Sequence, residues 1–172
     1  MTAASDTPLS DIVEATARAV AEDLDRARVL FSANGIPEGS VGSAVTAGTY
    51  TVRVDEPPAL GGAGTAPNPV ELYLAALISC QVVTYRFWAE RLGIRIDDLS
   101  IDAEGDLDVR GFFGLDDSVR AGFQQVRVNV HLRGPESAQR YGELQAAVDA
   151  HCPVLDISTG QTPVRTTLIT PE

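Results

Sequence analysis

The chain has 172 residues, 44% of them hydrophobic, enough for one domain built on one core. Its net charge is −11, and all 13 Lys/Arg positions are arginine; lysine Schiff-base chemistry is excluded and nucleic acid is not an expected partner. No run of 18 or more apolar residues occurs, and residues 1–10 lack a basic start followed by an apolar segment; the expectation is therefore no membrane span, no secretory leader and a cytoplasmic protein.

Residues 9–31 carry helical periodicity. Ser10 is the expected cap, Asp11 and Glu14 fall in the first turn, and Ile12, Val13, Val20, Leu24 and Leu30 supply apolar positions. Glu22, Asp23 and Asp25 interleave with Arg18, Arg26 and Arg28, the pattern of a solvated face packed on a domain. Residues 41–54 read as a strand or hairpin, with Tyr50, Val52 and Val54 at period two. Residues 55–69 form a loop by composition, through Pro57, Pro58, Gly61, Gly62, Gly64 and Pro67; connections of that length are often functional.

Asn68 then caps a helix with Pro69 at its first position and Glu71 three after the cap, approximating a capping box. Gly93 ends it near Arg91 or Leu92. From Val70 to Val83 it is apolar on nearly every side, so it is expected to lie centrally, covered on most faces. Residues 94–110 and 123–133 read as strands. In the second, Val126, Val128, Val130 and Leu132 alternate with a wet face of Arg127, Asn129, His131 and Arg133. Residues 135–150 form another helix, and residues 163–169 a closing strand. Pro153 starts a further helix, which makes Cys152 a candidate cap. Strands in runs separated by long helices indicate an α+β domain.

Cys80 and Cys152 are the only thiols. Cys80 sits in the apolar helix, where a cysteine serves equally as inert packing. A sulfur just ahead of a proline-started helix meets unpaired backbone N–H groups and the positive end of the helix dipole, which favour the thiolate. A structural disulfide is out of place in a reducing compartment, whereas a catalytic or sensing pair is at home there. Two cysteines and two histidines match a zinc centre in number but not in spacing, so no metal is expected. A cysteine hydrolase using His131 or His151 is formally open, but nothing local supports it.

The segments Leu60-Gly61-Gly62 and Ala66-Pro67-Asn68-Pro69-Val70-Glu71-Leu72-Tyr73-Leu74-Ala75-Ala76-Leu77-Ile78-Ser79-Cys80 resemble the first signature of the OsmC/Ohr family (osmotically inducible protein C and organic hydroperoxide resistance proteins). His151-Cys152-Pro153-Val154 resembles its second. The resemblance implies a single OsmC-like domain over residues 1–172, with a helical extension at 1–40 and the core at 41–169. It implies an intertwined homodimer in which central cysteine-bearing helices are covered by antiparallel sheets. It also implies reduction of organic hydroperoxides without a cofactor. Cys80 would become a sulfenic acid, Cys152 would close a disulfide with it, and a dithiol of lipoyl type would restore both thiols.

The chain departs from the family pattern at two places. Strong peroxidases of the family carry an arginine ahead of the first signature; residues 29–52 contain none here, and Arg53 is the nearest. Their glutamate ten residues before the first cysteine corresponds to Val70, with Glu71 one place later, about 100° round the helix. Arg53 and Glu71 are therefore the candidate supporting residues, with helix capping the competing role for Glu71. The alternative function is a non-catalytic dimer of the same scaffold that binds an apolar ligand or senses oxidants.

Overall fold

The computed structural model describes residues 8–171, which divide into two compact units, one of residues 8–78 with 101–130 and one of residues 79–100 with 131–171. The division passes through three elements: α2 (Pro69–Leu92), β4 (Asp98–Asp106) and β5 (Gln125–Arg133).

The first unit opens with α1 (Leu9–Glu22). Its first turn is closed by the Pro8 carbonyl, which accepts from Asp11 N–H, so Ser10 lies inside the helix and is not the cap. The expected continuous helix to residue 31 breaks at Asp23, whose carboxylate accepts from Asp25 N–H and starts a short 3-10 turn, Leu24–Ala27. β1 (Ala33–Glu38) follows, a strand the periodicity did not reveal, because it contains Gly35 and Pro37 and only one large apolar residue. It pairs antiparallel with β2 (Gly42–Ala47), which pairs with β3 (Tyr50–Val54), so sheet structure begins ahead of the boundary expected at residue 41. The β2–β3 hairpin turns through Gly48 and Thr49, and Gly48 takes the left-handed φ of 60° that a two-residue turn demands.

The loop after β3 is organised by one carboxylate. Asp55 accepts from Glu56 N–H (2.9 Å), Ala63 N–H (3.1 Å), Thr65 N–H (3.0 Å) and the Thr65 hydroxyl (2.9 Å). The loop closes so tightly that a Cβ on Gly62 would lie 1.8 Å from the Glu56 carbonyl oxygen. It then delivers the chain to a complete capping box. Asn68 Oδ1 accepts from Glu71 N–H and Glu71 Oε2 accepts from Asn68 N–H, both at 2.8 Å.

β4 and β5 form a two-stranded sheet. Their wet faces are joined by Arg133–Asp98, Asn129–Asp102 and Arg127–Asp106, partners that run in opposite directions along the two strands. The expected strand over residues 94–110 is thus shorter; Asp108 caps a single helical turn, α3 (Val109–Phe112), by accepting from Arg110 N–H. In the second unit, Ser137 Oγ accepts from Arg140 N–H at the start of α4 (Ala138–His151), and α5 (Pro153–Thr159) begins after Cys152. Leu144, Val148 and Cys152, spaced by four, are wholly buried, with Tyr85, Ala89 and Ile94 completing that unit's core.

Two further expectations are corrected. Residues 163–169 form no strand, because no strand among the described residues pairs with them; Val164, Leu168 and Ile169 are exposed. α2 is not covered on most faces by its own chain. Burial follows one stripe, Leu77, Gln81, Thr84, Tyr85 and Ala89, while Val70 and Val83 face outward. By length and composition α2 could cross a bilayer, and among the described residues it alone could; its buried stripe marks it as a core helix.

Candidate redox site

Cys80 lies midway along α2, half-buried, and Cys152 lies at the junction between α4 and α5, with no exposed surface. Both belong to the second unit, both are free thiols, and the Cys152 thiol lies beside that of Cys80. The fold achieves this by ending α4 at a residue whose N–H still bonds to the Val148 carbonyl (2.9 Å) and starting α5 at the proline immediately after. Cys152 is thus the last residue of one helix face and the cap of the next helix.

Its electrostatics differ from the expectation that the start of a helix would favour the thiolate. Burial pushes the Cys152 thiol up from its ordinary value of 9.0, and the adjacent Cys80 sulfur adds to that. The Leu155 N–H and the Thr84 hydroxyl pull the other way without overcoming burial. Leu155 faces the sulfur without closing a cap hydrogen bond of ordinary geometry, and α5 has only seven residues to supply a dipole. Desolvation wins, and Cys152 is held as a thiol.

The other candidates are committed elsewhere. Arg53 faces solvent and pairs with Glu38 at 3.8 Å, beside a cleft of about 370 Å³ that Val41, Asp55 and Thr65 also line. Glu71 closes the capping box. Phe112 and Phe113, natural candidates for an apolar pocket, are exposed and pack edge to face on each other, with ring centroids 5.0 Å apart. His131 lies on the wet face of β5. His151 is next to Cys152 in sequence, but its Nδ1 bonds to the Ala147 carbonyl (2.7 Å) and its ring stacks on Trp88 (4.2 Å), itself faced by the Arg91 guanidinium. Among the described residues no cluster of His, Cys, Asp and Glu fits a metal ion.

One residue at the site escaped the sequence reading. Thr84 is nearly buried, and its hydroxyl, near the Cys152 sulfur, donates to the Cys80 carbonyl (2.8 Å). The signal was available, since residue i+4 on a helix shares the face of residue i.

The sequence profile of the OsmC-like protein family matches residues 62–167. Protein YmaD of Bacillus subtilis is 30% identical over 70 residues, covering 40% of this chain; the match spans about half (47%) of YmaD. Among solved structures, the OsmC-like protein of Mycoplasma pneumoniae aligns with a TM-score of 0.66 at 16% identity, over 77% of this chain and 89% of that one. An organic hydroperoxide resistance protein of Legionella pneumophila aligns at 0.60 and 24% identity, over 77% and 90%. The organic hydroperoxide resistance protein OhrB of Bacillus subtilis aligns at 0.55 and 21%, over 77% and 92%. At these identities the structural likeness speaks for the fold.

Proposed function

Because the chain belongs to the OsmC-like protein family, whose members include hydroperoxide resistance proteins, we propose that its paired thiols reduce organic hydroperoxides. The observation that carries this reading is the closeness of Cys80 to Cys152 in one unit of the fold. The roles follow from exposure: half-buried Cys80 is open to a peroxide, and wholly buried Cys152 is open only to Cys80. The Cys80 thiolate takes the terminal oxygen of the hydroperoxide, which leaves as the alcohol after gaining a proton, and becomes a sulfenic acid. The Cys152 sulfur then displaces hydroxide, which departs with the Cys152 proton as water, and a disulfide is formed. A dithiol, of lipoyl type by the family resemblance, exchanges with that disulfide and returns both thiols. No metal or cofactor takes part.

The working form is a homodimer of one OsmC-like domain per chain, with its core at residues 41–169 extended by β1. Outward-facing Val70 and Val83 on α2, and Val164, Leu168 and Ile169 in a segment without a strand partner among the described residues, are surfaces that a second copy would bury. A pair that must be returned to the thiol form suits the cytoplasm.

A peroxide-consumption assay with dihydrolipoate as reductant tests the reading. Wild type turns over; Cys80→Ser does not; Cys152→Ser stops after one oxidation. One equivalent of cumene hydroperoxide removes two hydrogens from wild type and adds no oxygen. Equal rates in all three proteins would reject the proposal. One observation favours the second reading, a non-catalytic dimer that senses oxidants or binds an apolar ligand: Arg53 and Glu71 are engaged by Glu38 and Asn68. That reading gains if the disulfide forms but no turnover follows.

A further inference from the structure

We propose that Trp88 and His151 are positioning residues of the redox pair: their packed rings clasp the end of α4, and with it Cys152, to the helix that carries Cys80. This rests on the reading of the two thiols as a redox pair. Both rings lie in the second unit, one on each cysteine-bearing element. Trp88 follows Cys80 by about two turns of α2, and His151 is the residue before Cys152. The ring centroids are 4.2 Å apart, with planes inclined by 36°. The His151 ring is itself oriented, because its Nδ1 lies 2.7 Å from the Ala147 carbonyl, which can only accept, so Nδ1 donates. The indole has a second neighbour, the Arg91 guanidinium 4.8 Å over its ring.

A helix end is where such a clasp matters, because the last turn has carbonyls without helical partners and frays readily. Cys152 sits at that end, its N–H on the Val148 carbonyl (2.9 Å) and Pro153 next, where α4 stops. The start of α4 is anchored to the same partner helix: Arg140 Nη2 donates to the carbonyl of Leu92 (2.9 Å), the last residue of α2. α4 is thus tied to α2 at both ends, by a hydrogen bond at one and by the ring pair at the other. Without the ring pair the last turn of α4 frays in the dithiol form, and closing the disulfide must order it again. With the pair in place that ordering is already done, and Cys152 is presented at a higher effective concentration. The clasp therefore shifts exchange with glutathione toward the disulfide. In that exchange one glutathione disulfide takes a hydrogen from each of Cys80 and Cys152 and leaves as two thiols, while a sulfur–sulfur bond forms in the protein.

The test uses His151, which is exposed and can be changed without opening the core. Wild type, His151→Ala and His151→Phe are equilibrated in glutathione buffers without peroxide and quenched with an alkylating reagent, and the disulfide fraction is read by mass. His151→Ala lowers the equilibrium constant for the disulfide about threefold to tenfold, the worth of one aromatic pair. His151→Phe keeps a ring against Trp88 and recovers most of that loss. Trp88→Leu matches His151→Ala, and the double variant loses no more than either single change, because the same contact is removed each time. A lower melting temperature in His151→Ala with an unmoved constant would overturn the proposal, since it would leave the rings a purely structural role. Equal losses for alanine and phenylalanine, or additive losses in the double variant, would overturn it as well. Wild type that forms no disulfide at any glutathione ratio would reject the pairing of the thiols, and the clasp with it. A normal disulfide without peroxide turnover would reject only the peroxidase reading, and the constants still decide the role of the rings.

Discussion

In the first unit the Asp55 carboxylate, 9% exposed, is met by three backbone N–H groups and a hydroxyl, whereas in the second unit the fully buried Cys152 meets one N–H, one hydroxyl and a second thiol. Both are acids with little access to water, yet they move in opposite directions. The Thr65 N–H and hydroxyl, aided by Glu56 and Ala63, hold Asp55 below its ordinary 3.8 against the burial that opposes them. Burial dominates at Cys152 and raises it. The second unit repeats this at Tyr85, which burial and the nearby Asp149 push up to about 12. The number of donors, more than depth, decides whether such an acid is held charged or neutral. A loop can supply several backbone donors to one point, but the packed faces of helices cannot, because their N–H groups are already spent on helical bonds.

The strongest way to break this comparison is Asp55→Ala. It leaves the N–H groups of Glu56, Ala63 and Thr65 without their acceptor and frees the Asp55–Pro67 loop, so the melting temperature should fall by about 5–10 °C. The pH dependence follows from the lowered pKa. The stability Asp55 contributes is fully present above its unfolded pKa and is lost as pH falls through the lower folded value, because the unfolded chain then takes up the proton first. Wild type and variant should therefore converge on acidification below about pH 4, measured by thermal unfolding from pH 7 downward. Parallel curves over that range would mean that the carboxylate is not held charged by the loop.

A smaller effect is expected at the helix that joins the units. Asn68→Ala removes the acceptor for Glu71 N–H and half of the capping box, at a cost of about 1 kcal/mol by denaturant unfolding. Glu71→Gln can still accept from Asn68 N–H and should lose less. If Glu71 served the cysteine instead of the cap, Glu71→Ala would cost no stability, whereas loss of its bond from Asn68 N–H should cost a measurable amount.

Much of the molecule was legible from local chemistry. The capping box of α2, the stop at Gly93, the alternation in β5 and the cap position of Cys152 are each written in a few adjacent residues, and each has its expected place. The errors arose where neighbours elsewhere in the chain decide. β1 has Gly and Pro and no alternation of its own; it is a strand because β2 lies beside it. Residues 163–169 have β-forming residues and no neighbour, so they stay unpaired. At the site, the pairing of Cys80 with Cys152 came from family signatures and not from physics. The direction of the Cys152 shift depended on how many donors reach one sulfur, a quantity set by tertiary packing.

The most delicate test is Tyr85→Phe, which separates burial as a cause of the neutral state from any need for the hydroxyl itself. Tyr85 is 1% exposed, and its ionisation is raised to about 12, first by desolvation and then by the charge on Asp149. The stability tied to its proton is intact below the unfolded value of 10.0 and is lost as pH rises toward the folded one, since the unfolded chain releases the proton earlier. Cys152, raised from 9.0, produces a loss of the same sign that begins at lower pH. The variant should differ from wild type by less than about 1 kcal/mol at neutral pH, because a phenyl ring fills the same space. In a spectrophotometric titration of the four tyrosines, the step near 12 should vanish from Tyr85→Phe and nothing else should move. If the late step persists, another tyrosine carries it, and the second unit's preference for neutral acids would rest on Cys152 alone.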